Sequence, residues 1–212
     1  MAIRVRESTK DDLPAIARIA AAAFHPKTDI ISARIFPAQQ QDAPLDNDIF
    51  SWRYAKKTAS LASPHALMVV AVDDSLNGQV VGFALWDVYS EKASNQPQPS
   101  AQEPPPPCFD QEAFAELRAI VSSDHQEMFG ERGIKDVWHL DYIGVDPQQQ
   151  RKGIGKILLD WGISRATDEK KDCYLLATPA GKPLYTKAGF EHVRIVPIFG
   201  VSHHSMLLRH NR

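Results

Sequence analysis

The chain has 212 residues, 43% apolar and 24% charged, with a formal net charge of −2, which suits one soluble domain with a sizeable core and argues against general nucleic-acid or membrane-surface binding. Two cysteines, Cys108 and Cys173, with no CxxC pair exclude a secreted-type disulfide framework and a cysteine zinc site. No apolar run approaches the ~20 residues of a membrane span, and the N-terminus lacks the apolar centre of a signal peptide, so a cytoplasmic, reducing setting is expected.

Ile3 to Glu7 alternates apolar and charged residues, as a half-buried strand does. Thr9 and Asp12 have capping-box spacing, Pro14 sits where a first helical turn tolerates it, and Leu13, Ile16, Ala20, Ala23 and Phe24 recur at helical spacing. From Pro26 to Pro44 the pattern is irregular. A helix is expected to resume near Asp46 and to carry Phe50, Tyr54 and Leu61 toward the core. Residues 66–72 read as a strand, Asp73 to Gly78 as a turn, and Gln79 to Tyr89 as the returning arm of a hairpin.

Ser90 to Pro107 is rich in Ser, Gln, Asn and Pro and ends in four prolines, so it is expected to be an extended insertion at about 90–108 within a single domain over 1–212. Phe109 to Phe129 returns to helical spacing. Val137 to Val145 is a strand ended by Asp146-Pro147, followed by an amphipathic helix over 153–165 and a strand over 173–177. Lys182 to Lys187 forms a short helix closed by Gly189, and residues 190–196 and 205–209 are the last strands. The order mixes hairpins with one strand–helix–strand crossover. It predicts an α/β (α+β) fold with a mixed, mostly antiparallel, twisted sheet flanked by helices.

The most informative stretch is Leu140 to Lys156, where a strand ends, a turn follows and a helix begins at Gln150-Arg151-Lys152-Gly153-Ile154-Gly155. Opening amides of a helix lack intrahelical acceptors and sit at the positive end of its dipole, which suits a phosphate. Glycine at 153 and 155 clears Cβ atoms from the approach, and Arg151, Lys152 and Lys156 add charge. A Walker A loop does not fit, because Lys156 precedes Ile157 and no glycine stands at 150. A dinucleotide fingerprint does not fit either, because Leu158 occupies the third glycine position.

The pattern Q/R-x-x-G-x-G/A after a strand ending in V-x-P fits at every position. With Pro183-Leu184-Tyr185-Thr186-Lys187-Ala188-Gly189-Phe190 about thirty residues on, it resembles the GNAT superfamily of N-acetyltransferases. The resemblance covers most of the chain and is most specific over 137–193. It implies splayed central strands, acetyl-CoA as co-substrate with its pyrophosphate on residues 150–156, and pantetheine on Ile143, Gly144 and Val145, with the Val145 amide as oxyanion donor. Gly144 suits a bulge or a close backbone approach. Tyr185 then matches the general acid for the departing thiolate, and His139 or Asp141, on one strand face by period two, the general base.

Thr178 stands where many relatives carry a cofactor-binding asparagine. The implied reaction is direct acetyl transfer to a primary amine on a small molecule, peptide or protein, through a ternary complex. A non-catalytic acyl-CoA sensor or scaffold, or a nucleotide-binding protein using Gly153 to Lys156, are the rival readings. No metal, nucleic-acid or membrane partner is implied. His203-His204 lacks a carboxylate at ligand spacing and reads as a strand-edge feature, and Phe24, Trp52, Trp86 and Tyr89 read as core aromatics with an acceptor cleft as the alternative.

Overall fold

The computed structural model describes residues 2–37, 47–89 and 105–210. Among these, seven strands form one sheet: β1 (Ile3–Glu7), β2 (Ala66–Asp73), β3 (Gln79–Val88), β4 (Val137–Val145), β5 (Asp172–Ala177), β6 (Glu191–Ile198) and β7 (Val201–Leu208). Their spatial order is β1-β2-β3-β4-β5-β7-β6, antiparallel throughout except for the parallel β4–β5 pair. The helices are α1 (Leu13–Ala23), α2 (Ile30–Ile35), α3 (Asn47–Ala62), α4 (Gln111–Phe129), α5 (Ile154–Asp168) and α6 (Lys182–Lys187).

Most expected elements appear within a few residues of their predicted bounds, and the expected mixed sheet is present. α2 is the exception, a short helix inside the stretch whose prolines obscured it. Asp29 starts it by accepting the Ser32 amide at 2.7 Å. Most of the expected insertion, residues 90–104, lies outside the described residues.

α5 lies on one face of the sheet. Its Ile154, Leu158 and Leu159 pack with Val69, Ala71, Trp86, Trp138 and Leu140. Two glycines let it sit unusually close. A Cβ on Gly162 would stand 2.2 Å from the Trp86 ring, and one on Gly82 would meet Leu158 and Ile154 at 3.1 and 3.2 Å. The start of α5 is therefore fixed against the sheet. On the opposite face, Ile16, Ile19 and Ala20 of α1 cover Met68, Val70, Val72, Phe83 and Leu85.

α3 packs on α1, and of the residues expected to face the core, Leu61 does so, but the fully buried stripe is a different one. Its buried stripe is Ile49, Arg53 and Lys57, at 5%, 4% and 3% exposure, whereas Tyr54 is 37% exposed. Arg53 turns inward where this stripe borders a cavity, and Lys57 where it meets the rings of Phe83 and Tyr142.

α4 is tied down by one buried carboxylate. Asp124, 1% exposed, accepts the Tyr174 and Ser205 hydroxyls and pairs with Arg194 at 3.0 Å, joining the helix to β5, β7 and β6. Three partners on three strands make this carboxylate the anchor of the helix.

Candidate active site

β4 and β5 pair only from Val137–Asp172 to Leu140–Leu175. Beyond that point β4 continues to Val145 and β5 to Ala177 without contact, so the two central strands splay. The Asp146 amide donates to the Val81 carbonyl at 3.0 Å on the β3 side. Because backbone groups alternate sides along a strand, those of Gly144 also turn to β3, and those of Ile143 and Val145 turn into the gap. Gln150 Nε2 donates to the Val145 carbonyl from this side at 3.2 Å.

The gap leads to the expected loop. Arg151 and Gly153 adopt positive φ, 64° and 83°, and a Cβ on Gly153 would meet nothing within 4 Å. Its glycine therefore answers a backbone conformation and leaves open space above it. The first intrahelical bond of α5 runs from the Ile157 amide to the Gly153 carbonyl at 3.1 Å. The amides of Ile154, Gly155 and Lys156 thus have no acceptor in the helix. Lys152 reaches Gln149 Oε1 at 2.7 Å, which keeps its ammonium beside the loop, whereas Lys156 pairs with Asp160 one turn further along α5.

A cavity of about 720 Å³ runs from this loop, through the gap, to a chamber under α2, α3 and α4. It is lined by Gln150, Arg151, Gly153 to Lys156, Ile143 to Val145, Thr178, Tyr185, His139 and Asp141, so all but one of the predicted site residues meet in one space. Lys152 flanks the loop without lining the cavity. An anionic, elongated group fits this space: amides and cations stand at one end and a free strand edge runs along the arm.

The predicted catalytic side chains differ in their surroundings. Tyr185, 8% exposed, lies between Phe190 and Gly181, where a Cβ would approach its ring to 3.1 Å. Burial pushes its phenol above the usual tyrosine value, so it stays protonated. Thr178 accepts the Gly181 amide on Oγ1 at 3.1 Å, closing the turn into α6 while still facing the cavity.

The register of β3 against β4 slips between Leu85–Tyr142 and Trp86–Leu140, which makes Asp141 the extra, bulged residue. The bulge therefore falls three residues before Gly144. The close approach that Gly144 permits is that of Phe83, whose ring a Cβ would meet at 2.7 Å.

Asp141 opens to the cavity but is crowded by protein on its other sides. That crowding, the largest cause, raises its pKa above the ordinary carboxylate value. Asp87 adds to the effect, and Lys57 and His139 oppose it. His139 is 6% exposed, holds Asp87 Oδ2 through Nδ1 at 2.9 Å and stacks on Tyr174 at 5.3 Å. It is more enclosed than Asp141.

Several contributors were not legible in the sequence. Lys57 stands with Nζ 3.5 Å from the Tyr142 ring centroid, and burial lowers its pKa to about 8, with Asp141 and Asp87 opposing. Arg53 donates to Ser32 Oγ at 2.8 Å inside the same chamber. Nothing in the local pattern of α3 separates these cations from a solvated face; only the packing of the helix does.

β7 lies between β5 and β6, so His203 is not at a sheet edge. It is 2% exposed and lines the cavity. Phe24 and Trp52 line the cavity too, whereas Trp86 is buried against Trp138 and Tyr89 stacks on His65. Among the described residues, no group of His, Cys, Asp or Glu has the arrangement of a metal site, and no helix is long and apolar enough to cross a membrane.

A sheet that opens between two parallel strands, above a loop of unpaired amides, is the arrangement that the resemblance to the acetyltransferase class implies. Within that class, the acetyltransferase (GNAT) domain model matches residues 64–192, more than half of the chain, and the chain belongs to this family. It is 36% identical over 52 residues to a probable acyltransferase, SID5, of Ajellomyces capsulatus, a match spanning 24% of the chain and 38% of that relative.

Solved structures agree in fold. A histone acetyltransferase HPA2-related protein of Corynebacterium glutamicum aligns over 100% of this chain and 98% of its own, with a TM-score of 0.62 and 20% identity. A GNAT acetyltransferase of Brucella melitensis solved with acetyl-CoA gives a TM-score of 0.52 and 16% identity, covering 100% and 90%. The PaiA N-acetyltransferase of Thermoplasma acidophilum, solved with coenzyme A, gives 0.55 and 16%, covering 99% of each chain.

Proposed function

We propose that this protein transfers an acetyl group from acetyl-CoA to a primary amine, by direct attack within a ternary complex. The observation that carries the reading is the continuity of one cavity. It joins the free amides of the α5 N-terminus, the unpaired edge of β4 and a chamber floored by Asp141. A site that only sensed CoA would need the first two and not the third.

On this reading the amides of Ile154, Gly155 and Lys156, with Arg151 and Lys152, hold the pyrophosphate, and the gap-facing groups of Ile143 and Val145 hold the pantetheine. When bound, acetyl-CoA supplies a thioester carbonyl at the end of that arm. The Val145 amide donates to the oxygen as charge develops there.

A lysine-like amine lies about three pKa units from its free form at neutral pH, a deficit of roughly 4 kcal/mol. A carboxylate raised by burial is better matched to that proton than an ordinary one. Asp141 is therefore assigned as the base, directly or through a water, and His139 as the residue that holds Asp87 beside it. The nitrogen–carbon bond forms and the carbon–sulfur bond breaks. Tyr185, protonated in its buried setting, gives its proton to the leaving sulfur.

The test is thiol release from acetyl-CoA across a panel of amines, run beside a binding measurement for CoA. Turnover on at least one amine is the expected result. Tight CoA binding with no turnover on any amine would instead fit a sensor.

A further inference from the structure

Two residues that line the chamber beyond Asp141 each carry a buried polar atom with no partner among the described residues, Arg53 Nε and His203 Nε2. Arg53 is 4% exposed. Its Nη2 reaches Ser32 Oγ at 2.8 Å and the Phe24 carbonyl at 3.4 Å, both neutral acceptors, and among the described residues it forms no ion pair. Its guanidinium also lies 5.7 and 5.5 Å from the Phe24 and Trp52 ring centroids and beside the Tyr142 phenol. Enclosing a guanidinium with no carboxylate in contact is costly, neutral partners offset only part of the cost, and an arriving anion would offset more.

The state of His203 follows from its other nitrogen. Nδ1 lies 3.1 Å from the Val201 carbonyl, an oxygen that can only accept, so Nδ1 carries the proton. Burial, the largest cause, lowers the ring's pKa, although the Val201 carbonyl and Asp29 oppose this. The neutral ring therefore presents a bare Nε2, which needs an N–H or O–H donor.

The remaining walls are apolar, built from Ile31, Ile35, Phe36, Trp52, Phe114 and Leu117. Asp29 also lines the chamber, but its Oδ1 is engaged by the Ser32 amide at 2.7 Å. Asp29 and Asp141 repel any anion, and a doubly charged one twice as strongly, so a single carboxylate is the better match to the one guanidinium of Arg53.

Resting on the acyl-transfer reading, we propose that the acceptor is a free amino acid with an apolar side chain. Its carboxylate accepts from Arg53, its amine N–H groups face His203 and Asp141, and its side chain packs on the aromatic wall. A lysine inside a polypeptide, which has no carboxylate near its amine, is excluded from this chamber's best ligands.

The experiment compares kcat/KM for matched acceptors: phenylalanine, phenylalaninamide and phenethylamine, and likewise leucine and isopentylamine. The carboxylate-bearing member is expected to lead by about tenfold or more, as a buried charge-assisted hydrogen bond gives. The amide's amine is the less basic, so reactivity alone favours it and the two explanations predict opposite orders. In Arg53→Met the ratio should collapse toward one, and Arg53→Lys should restore part of it. Because a ratio is read, incomplete folding of a variant does not disguise the result.

Preferential acetylation of the carboxylate-free amines would overturn the inference while leaving acetyl transfer intact, and so would a ratio that persists in Arg53→Met. If no thiol is released with any acceptor, calorimetry in the presence of CoA decides. Binding of phenylalanine over its amide upholds the carboxylate site although the catalytic reading has failed; equal binding, or none, removes both.

Discussion

The two halves of the cavity are built in opposite ways. On the cofactor side, β4, the loop at 150–156, α5 and α6 follow one another in the chain and present mainly backbone: free amides at a helix start and an unpaired strand edge. On the proposed acceptor side, Asp29, Arg53, Leu117, Asp141 and His203 come from five distant segments and present side chains. Backbone recognition needs particular residues at fixed local spacing, chiefly glycine where φ is positive, and such spacing is visible in a sequence. Side-chain recognition assembled across the chain leaves no local pattern.

That contrast can be tested by substitutions on each side. The largest effects are expected at the reacting centre. Tyr185→Phe and Asp141→Asn should each lower kcat by ~10²–10⁴-fold while CoA still binds, as loss of an acid or base does. Equal losses of CoA affinity and kcat in Tyr185→Phe would recast that phenol as a cofactor contact.

Next is the support of the acceptor roof. Asp124→Ala leaves Arg194, Tyr174 and Ser205 without their shared carboxylate. It should cost about 2–5 kcal/mol in denaturant unfolding, mainly from two buried hydroxyls left unpaired, since Arg194 keeps Glu127 at 2.7 Å. Gly162→Ala drives a methyl toward Trp86 beneath α5 and should cost ~1–3 kcal/mol. If α5 positions the pyrophosphate loop, this variant should also weaken CoA binding.

The smallest expected effect is a shift in pH profile. Asp141 must be ionised to act as base and its pKa is raised, so the acidic limb of kcat/KM should lie above the ordinary carboxylate range, with activity rising as pH increases. Lys57 opposes that elevation. Lys57→Met should therefore move the limb to higher pH, and an unmoved limb would separate Lys57 from the reaction.

How much the sequence revealed follows the same division. The mixed sheet, the crossover from β4 through α5 to β5 and the loop were legible because hydrophobic period, Asp146-Pro147 and two glycines each act locally. The bulge at Asp141 was not, since it arises from the register of β4 against β3 and no residue in β4 announces it. α2 was hidden among prolines. Arg53 and Lys57 are not singled out in the sequence, because charged residues of a helix are ordinarily solvated and only the docking of α3 turns these two inward. His203 read as an edge residue because the insertion of β7 between β5 and β6 is a matter of topology.

The central claim is that the turn into α5 receives a pyrophosphate. Titration calorimetry with CoA and with pantetheine, which lacks the pyrophosphate, tests it most directly, in the wild type and in Gly153→Val, where a β-branched residue is forced toward φ 83°. CoA should bind far more tightly than pantetheine, and the substitution should erase most of that difference. Equal affinity for the two ligands, or a CoA preference untouched in Gly153→Val, would contradict the account.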